Sequence, residues 1–233
     1  MPTLYLIPTL LADDTAEQTL PPYIRSVIEK TDAYFVENVR SARRFITGLK
    51  TSRVIDETTF FELTKDTPPA DTRRQIQEMM ERKRNVGVLS EAGCPGVADP
   101  GSVVVSMAHT LGWRVEPLVG PSSILLALMA SGMNGQSFVF HGYLPIERQD
   151  RARALRYLEK EAQDRQQTQI FMETPYRNDA LFADVLANCQ GNTRICVACN
   201  LTGPDAFVRT LTVKEWKTQV PDLRKKPTVF LLL

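Results

Sequence analysis

Short apolar runs that alternate with helical patterns constrain this chain more than any other feature. "TLYLIPTLL" reads as a strand, and "LPPYIRSVIEKTD" as a helix whose start suits Pro21 and Pro22. Then come the strand "AYFVENV", the helix "RSARRFITGL" that Gly48 can terminate, and the amphipathic helix "DTRRQIQEMMERKRN" with Ile76, Met79 and Met80 on one side. "VGVLSEAG" and "RVEPLVG" are strands, followed by the helices "DPGSVVVSMAHTLGW" and "PSSILLALMASG". Strand followed by helix, repeated, demands crossover connections, and these build a parallel sheet with helices on its faces. The second half changes character. Its strands "SFVFHGYLP", "TQIFMETP", "TRICVACNL", "VRTLTVKEW" and "KPTVFLLL" have fewer long helices between them, so a mixed sheet with an antiparallel part is expected. The fold class is therefore α/β in two domains: an N-terminal parallel-sheet domain over residues 1–117 and a C-terminal mixed-sheet domain over residues 118–233, with the boundary near Pro117 to Gly120.

Bulk properties exclude several classes. The chain of 233 residues is 43% hydrophobic and 24% charged, a soluble globular balance, and its formal charge of +1 creates no global field for a polyanion. No apolar run reaches the roughly 18 residues of a membrane span. "MPTLYLIPTLL" has neither a basic start nor a small-residue cleavage site, so a cytoplasmic location is expected rather than secretion. Cys196 and Cys199 form a C-x-x-C inside a predicted strand, where their separation puts the thiols on opposite faces. No second pair completes a zinc site, and no metal is expected.

In a parallel α/β sheet, ligands bind beyond the carboxyl ends of the strands. Those ends are unusual here. "VGVL" runs into "SEAGCPGVADPGS", residues 90–102, which holds three glycines and two prolines. An ordinary connection needs only about two to six residues. Gly93 and Gly96 cap no helix, whereas glycine lets a ligand approach the main chain closely. Val119 is followed by Gly120-Pro121-Ser122-Ser123, and Met172 by Glu173-Thr174-Pro175-Tyr176-Arg177. Each of the three returns to helix through a proline with a capping candidate beside it: Asp99, Ser122 and Thr174. Asp99 thus has a purely structural reading as a helix N-cap. No G-x-G-x-x-G or G-x-x-x-x-G-K occurs, and Ser122 follows a proline instead of sitting in G-x-S-x-G. Dinucleotide-binding, P-loop and hydrolase readings lack their central residues. Of the two histidines, His109 falls within a helix and His141 could line a cleft.

In chain order, "ENVR", "SEAGCPGVADPG", "VGPSS" with "LALMASG" after it, "FHGYLP" and "ETPYR" resemble the motifs of the tetrapyrrole methylase superfamily, the class III S-adenosylmethionine-dependent methyltransferases. Within it they are most similar to the ribose 2′-O-methylases of small-subunit ribosomal RNA. The resemblance runs over nearly the whole chain, and the ordered set is specific where a single motif is not. It implies a homodimer of two-domain α/β protomers and S-adenosyl-L-methionine folded in the cleft between the domains. Carried over by motif, the cofactor would touch Leu11, Gly93, Cys94, Gly96, Val97, Ser122, Ser123, Met172, Ala198 and Thr228, largely through main-chain and apolar contacts. The partner would be ribosomal RNA or the small ribosomal subunit.

Methyl transfer to a hydroxyl needs alignment of donor and acceptor, and a base. Glu37 and Glu173, both just past strand ends, are the candidate bases. Arg40 and Arg177, with Arg43 and Arg44, are the candidates for holding the acceptor's phosphates. For each, a solvated ion pair at a loop is the plain alternative. Arg82 and Arg84, and Arg148, Arg151, Arg153 and Arg156, add basic clusters that a solvated helix face explains equally. The chain also departs from the motifs it resembles. "PTLLADDTAEQTL" lacks the family's glycine and asparagine. Asn38 and Val39 stand for an aspartate and a threonine, and Tyr176 for a histidine. "ACNLTG" lacks an arginine, a glutamate and a lysine, and the helical extension seen after the sheet in many members is absent. These losses fall on the acceptor side. They keep open a methylase of a tetrapyrrole or other small molecule, and a cofactor-binding pseudoenzyme.

Overall fold

The computed structural model describes residues 2–64 and 66–233, and among them ten strands form two five-stranded sheets. One sheet lies in each of the two units into which the chain divides, up to Ser122 and from Ser123 onward.

The first unit runs β1 (Thr3–Ile7), α1 (Ala16–Thr19), α2 (Tyr23–Glu29), β2 (Ala33–Val36), α3 (Val39–Gly48), β3 (Thr59–Glu62), α4 (Pro69–Glu81), β4 (Val86–Leu89), α5 (Gly101–Thr110) and β5 (Arg114–Pro117). The strands order as β3-β2-β4-β1-β5, and every neighbouring pair is parallel. Alternate strand residues feed two cores. Tyr5, Ile7, Tyr34 and Val36 pack against Ile24 and Ile28 of α2 and Ala42 and Ile46 of α3. Leu4, Ala33, Phe35 and Val88 pack on the other face against Ile76 and Met79 of α4 and Val104 and Ala108 of α5. Strands β2 and β4 are buried at every residue, as a sheet covered on both faces requires. The edge strand β3, half-exposed and only four residues long, is absent from the sequence expectation. Beyond β5 the chain stays with this sheet, since Leu118 N–H donates to the carbonyl of Leu6 at 3.0 Å.

The second unit runs α6 (Ser123–Ser131), β6 (Phe138–Tyr143), α7 (Arg148–Arg165), β7 (Thr168–Met172), α8 (Asn178–Asn188), β8 (Arg194–Cys199), β9 (Phe207–Thr212), α9 (Val213–Trp216) and β10 (Thr228–Leu232). Its sheet orders as β6-β7-β10-β8-β9. The pair β6–β7 is parallel and the other three pairs are antiparallel, so the sheet is mixed, as expected. Helix α6 covers one face through Ala127 and Leu128, against Ile170, Cys196, Ala198 and Val229. Helices α7 and α8 cover the other, where Leu155, Leu158, Phe182 and Val185 meet Phe171, Val197 and Phe230.

One local expectation is corrected here, and one open alternative narrows. Pro175 lies in a turn and Thr174 caps no helix, because α8 starts at Asn178 with Arg177 in the N-cap position. The arginines of α7 are not a free basic face. Arg148 and the buried Arg151 both hold the buried Asp184 of α8, Arg153 pairs with Asp150, and Arg156 donates to Asn188 Oδ1 at 2.9 Å. Likewise Arg82 pairs with Glu78 and Arg84 with Asp32. Among the described residues no helix is long and apolar enough to cross a membrane.

Gly87 in β4 shows how tightly the first core is closed. A Cβ there would stand 2.6 Å from Tyr34 Cδ1 and 3.0 Å from Ile7 Cδ1, and both side chains are fully buried. Gly87→Ala is therefore expected to lower stability by about 1–3 kcal/mol through overpacking, read as a shift of the urea midpoint. An unchanged midpoint would mean that the Tyr34 ring has room to move.

Candidate active site at the sheet switch point

The chain leaves β1 and β2 through helices α2 and α3 on one face, but leaves β4 through α5 on the other. Strand β4 lies between β1 and β2. Adjacent connections therefore diverge at its carboxyl end and open a crevice there. The glycine-rich loop, residues 90–100, rises from this point.

The loop is held by its own polar groups. Ser90 Oγ donates to the carbonyl of Gly93 at 3.0 Å. The same carbonyl accepts from Thr9 N–H at 2.9 Å, and Thr9 Oγ1 donates to the Ser90 carbonyl at 3.2 Å. The loop after β1 is thus laced to the loop after β4. Gly93 and Gly96 have φ of +75° and +82°, and Ala98 has +61°. Two of these left-handed positions fall on glycine, which adopts them without strain, while Ala98 is held there against its preference. Asp99 braces the turn, its Oδ1 accepting from Gly96 N–H and Gly101 N–H, each at 2.7 Å. The N-cap position of α5 belongs to Pro100 and not to Asp99, which corrects the capping reading, although Asp99 takes the amide of the first helical residue, Gly101, and braces the loop as well. Burial raises the Asp99 carboxyl above its ordinary value, against the lowering effect of the two amides, and Oδ2 is buried without a partner.

Several sequence-selected residues gather round this loop. A Cβ on Gly93 would lie 3.2 Å from Leu11 Cδ2 and 3.3 Å from the carbonyl of Pro121. Cys94 Sγ donates to that same carbonyl at 3.4 Å, and burial pushes its thiol up. Leu11, Gly93 and Cys94 therefore meet beside Pro121, the residue before Ser122, and Val97 is 50% exposed on the loop. Main chain that can be approached closely, flanked by Leu11 and Val97, fits a largely uncharged adenosyl group.

On the far side of the loop, Glu37 follows β2 and its Oε1 accepts from Glu91 N–H at 3.3 Å. Burial raises the Glu37 carboxyl, and the charges of Asp99 and Glu91 add to the rise. Glu91 Oε2 in turn accepts from Ser41 Oγ at 3.2 Å. Asn38 has its own local task, because its Oδ1 caps α3 by accepting from Arg40 N–H and Ser41 N–H at 2.9 and 3.1 Å. A cavity of about 380 Å³ opens here, lined by Thr9, Leu10, Ser41, Arg44, Phe45 and Glu91 among others. Arg44 faces it and Arg40 is exposed, whereas Arg43 is turned to Asp56 and lies 6.0 Å above the Phe60 ring.

In the second unit, Met172, Ala198 and Thr228 fall on the neighbouring strands β7, β8 and β10. Met172 and Ala198 pair with Val229 from opposite sides, and Thr228 pairs with Cys199. Ser123 opens α6. Ala198 and Thr228 are buried. Glu173 Oε1 accepts from Thr174 N–H at 2.6 Å and from Arg177 at 2.7 Å. Burial alone would raise the Glu173 carboxyl, but these hydrogen bonds outweigh it and hold the group below its ordinary value. His141 Nε2 lies 2.7 Å from Gln169 Oε1. Cys196 and Cys199 pack into opposite cores with free thiols, and among the described residues no cluster of three or more His, Cys, Asp or Glu could hold a metal ion.

Thr9, Ser41, Ser90 and Glu91 were not singled out from the sequence. Thr9 and Ser90 had a positional signal, since each lies within two residues of the carboxyl end of one of two neighbouring strands.

Residues 9–217 match the family of tetrapyrrole (corrin/porphyrin) methylases. The chain is 30% identical over 215 residues to ribosomal RNA small subunit methyltransferase I of Bacillus subtilis, covering 90% of this chain and 67% of that protein. It is 27% identical over 236 residues to the protein of the same name from Vibrio cholerae, covering 100% of this chain and 77% of that one. A solved structure of diphthine synthase superposes with a TM-score of 0.67 at 13% identity, covering 100% of this chain and 90% of the other, and so shares the fold.

Asp99 offers a direct test of how the loop is held. Asp99→Ala strips two backbone amides of a charged acceptor and is expected to cost about 1.5–3 kcal/mol in denaturation experiments. Asp99→Asn keeps an acceptor at Oδ1 and is expected to lose less. Equal losses in the two variants would show that the charge, not the hydrogen bonds, holds the turn.

Proposed function

The chain belongs to the tetrapyrrole methylase family, and from that premise we propose that it transfers the methyl group of S-adenosyl-L-methionine to a ribose 2′-hydroxyl of ribosomal RNA. One observation carries the choice of acceptor. The two relatives named as small-subunit ribosomal RNA methyltransferases align with 90% and 100% of this chain, through both units. The main chain of residues 93–98 with Leu11 and Val97 would hold the cofactor in the first unit; Ser123, Met172, Ala198 and Thr228 are the further cofactor candidates that the resemblance alone gives. Ser122 joins the first group. Bound there, the sulfonium supplies an activated methyl group.

Glu37 takes the proton from the attacking ribose hydroxyl. Its raised carboxyl is a stronger base than an ordinary glutamate, whereas Glu173 is tied down by Arg177 and made less basic. With the sulfonium bound, the ribose oxygen would gain the methyl carbon as its bond to sulfur broke onto sulfur, and the proton would end on Glu37. The cavity beside Glu91 receives the acceptor nucleoside, with Arg44, the one cation on its wall beside the carboxylates of Asp13, Asp14 and Glu91, holding an adjoining phosphate and the exposed Arg40 outside the lining available for a second. Arg43, already paired, contributes little to that task, and Arg177 stays with Glu173. The protein acts in the cytoplasm as a homodimer, in keeping with Val119 and Met129, each 79% exposed. Light scattering at micromolar concentration is expected to give twice the chain mass, and a monomer would exclude the dimer.

The experiment that tests the reading measures methyl transfer to unmodified small-subunit RNA as a function of pH. The base must be ionised, so kcat/KM rises as pH climbs through the Glu37 pKa, and that limb sits above the ordinary glutamate value because burial raises the group. Glu37→Gln is expected to lower kcat by roughly 100-fold or more and to abolish the limb. A normal profile in the variant removes Glu37 from the mechanism. Calorimetry with S-adenosylhomocysteine separates binding from turnover. Gly96→Val, at a φ of +82° with no atom within 4 Å of its Cβ, is expected to keep the core but lose affinity by about 10-fold or more.

A further inference from the structure

The second unit carries a basic and aromatic surface that no step above uses. The turn after β7 presents Tyr176, 78% exposed, next to Arg177. Tyr143, 57% exposed, ends β6 and pairs in register with Met172, the residue before Glu173. The segment Arg224-Lys225-Lys226 lies against this turn. Lys225 N–H donates to the carbonyl of Pro175 at 2.9 Å, and Asn178 Nδ2 donates to the carbonyl of Lys226 at 2.7 Å. The acidic groups here are already engaged. Glu173 pairs with Arg177, Asp222 with Lys226, and Asp179 Oδ1 accepts from Leu223 N–H at 3.0 Å. Arg224 and Lys225 are exposed and form no ion pair among the described residues. Asp222 also accepts from Arg224 N–H at 3.1 Å, and two solvent-facing phenol rings beside two exposed cations that form no ion pair suit stacking unpaired bases and neutralising the phosphates between them.

We propose that this surface is a platform for an unpaired RNA segment, on which Tyr176 and Tyr143 stack bases and Arg224 and Lys225 contact phosphates. It rests on the RNA reading above and extends it, because these residues lie outside the cavity beside Glu91 and require a substrate that continues beyond the reacting nucleotide. The platform is sequence-tolerant, since every base offers a π-face. Charge neutralisation by two cations also makes it salt-dependent.

The test uses the full chain and fluorescence anisotropy with a labelled unpaired oligoribonucleotide of mixed sequence, at several salt concentrations. Tyr176→Ala is expected to raise Kd by about 5- to 100-fold, and Tyr176→Phe to restore most of the affinity. Arg224→Ala with Lys225→Ala is expected to flatten the log Kd against log salt slope by about 1.4, about 0.7 for each phosphate contact on a single strand. S-adenosylhomocysteine affinity stays unchanged in all three, which also confirms that they fold. If the native protein binds the oligonucleotide and none of these variants alters Kd or slope, the platform is refuted while the RNA reading stands. If the native protein neither binds the oligonucleotide nor methylates small-subunit RNA, both fall together.

Discussion

One constraint organises the first unit: β4 sits between two strands whose helices lie on the opposite face from its own. The loop above it cannot be covered by the neighbouring connections, because they turn away. It must hold its shape from within and remain open at the same time. The ties from Thr9, Ser90 and Asp99 do the first, each ending on a main-chain group of the loop. Left-handed residues at 93, 96 and 98 give the loop its tight turns, and at two of them the absence of a Cβ lets a ligand approach the main chain.

The closeness of the core explains why so little of this machinery needs long side chains. With β2 and β4 buried at every residue, and Gly87 in contact with the Tyr34 ring, the strand ends are fixed by packing. Loops anchored on such ends need only short tethers, so hydroxyls and one carboxylate suffice. The same rigidity sets the acidity of Glu37. It follows directly from buried β2, it shares its surroundings with Asp99 and Glu91, and desolvation and like charge both act on it in one direction. Glu173 occupies the matching position after β7, but a guanidinium four residues on reverses the outcome.

Much of this was legible in the chain itself. The period of the apolar runs distinguished a parallel sheet from a mixed one, because crossover helices and direct strand pairs leave different spacings. The glycine loop stood out because its two left-handed glycines serve no cap. What stayed hidden depended on distance along the chain. Arg43 finds Asp56, Arg148 and Arg151 find Asp184, and Arg84 finds Asp32, each across an element boundary. A basic run on paper therefore became a set of neutralised pairs. Strand β3 escaped notice for a related reason, since a half-exposed edge strand of four residues has neither strict alternation nor a continuous apolar run.

The departures from the family motifs take on a different meaning once the side chains are placed. Asn38, where the resemblance leads one to expect an aspartate, caps α3 with its side-chain oxygen, a task either residue performs. That substitution keeps the cap at this helix start. Tyr176, where a histidine is expected, exchanges a titratable ring for a larger stacking surface, beside cations that remain uncommitted. The loop after β1, which lacks the family's glycine and asparagine, is still tied to the loop after β4 through the hydroxyl and amide of Thr9. Of these departures only Tyr176 adds a group suited to a base-bearing substrate, so the case for a nucleic acid as acceptor stands on that ring and on the relatives that align through both units.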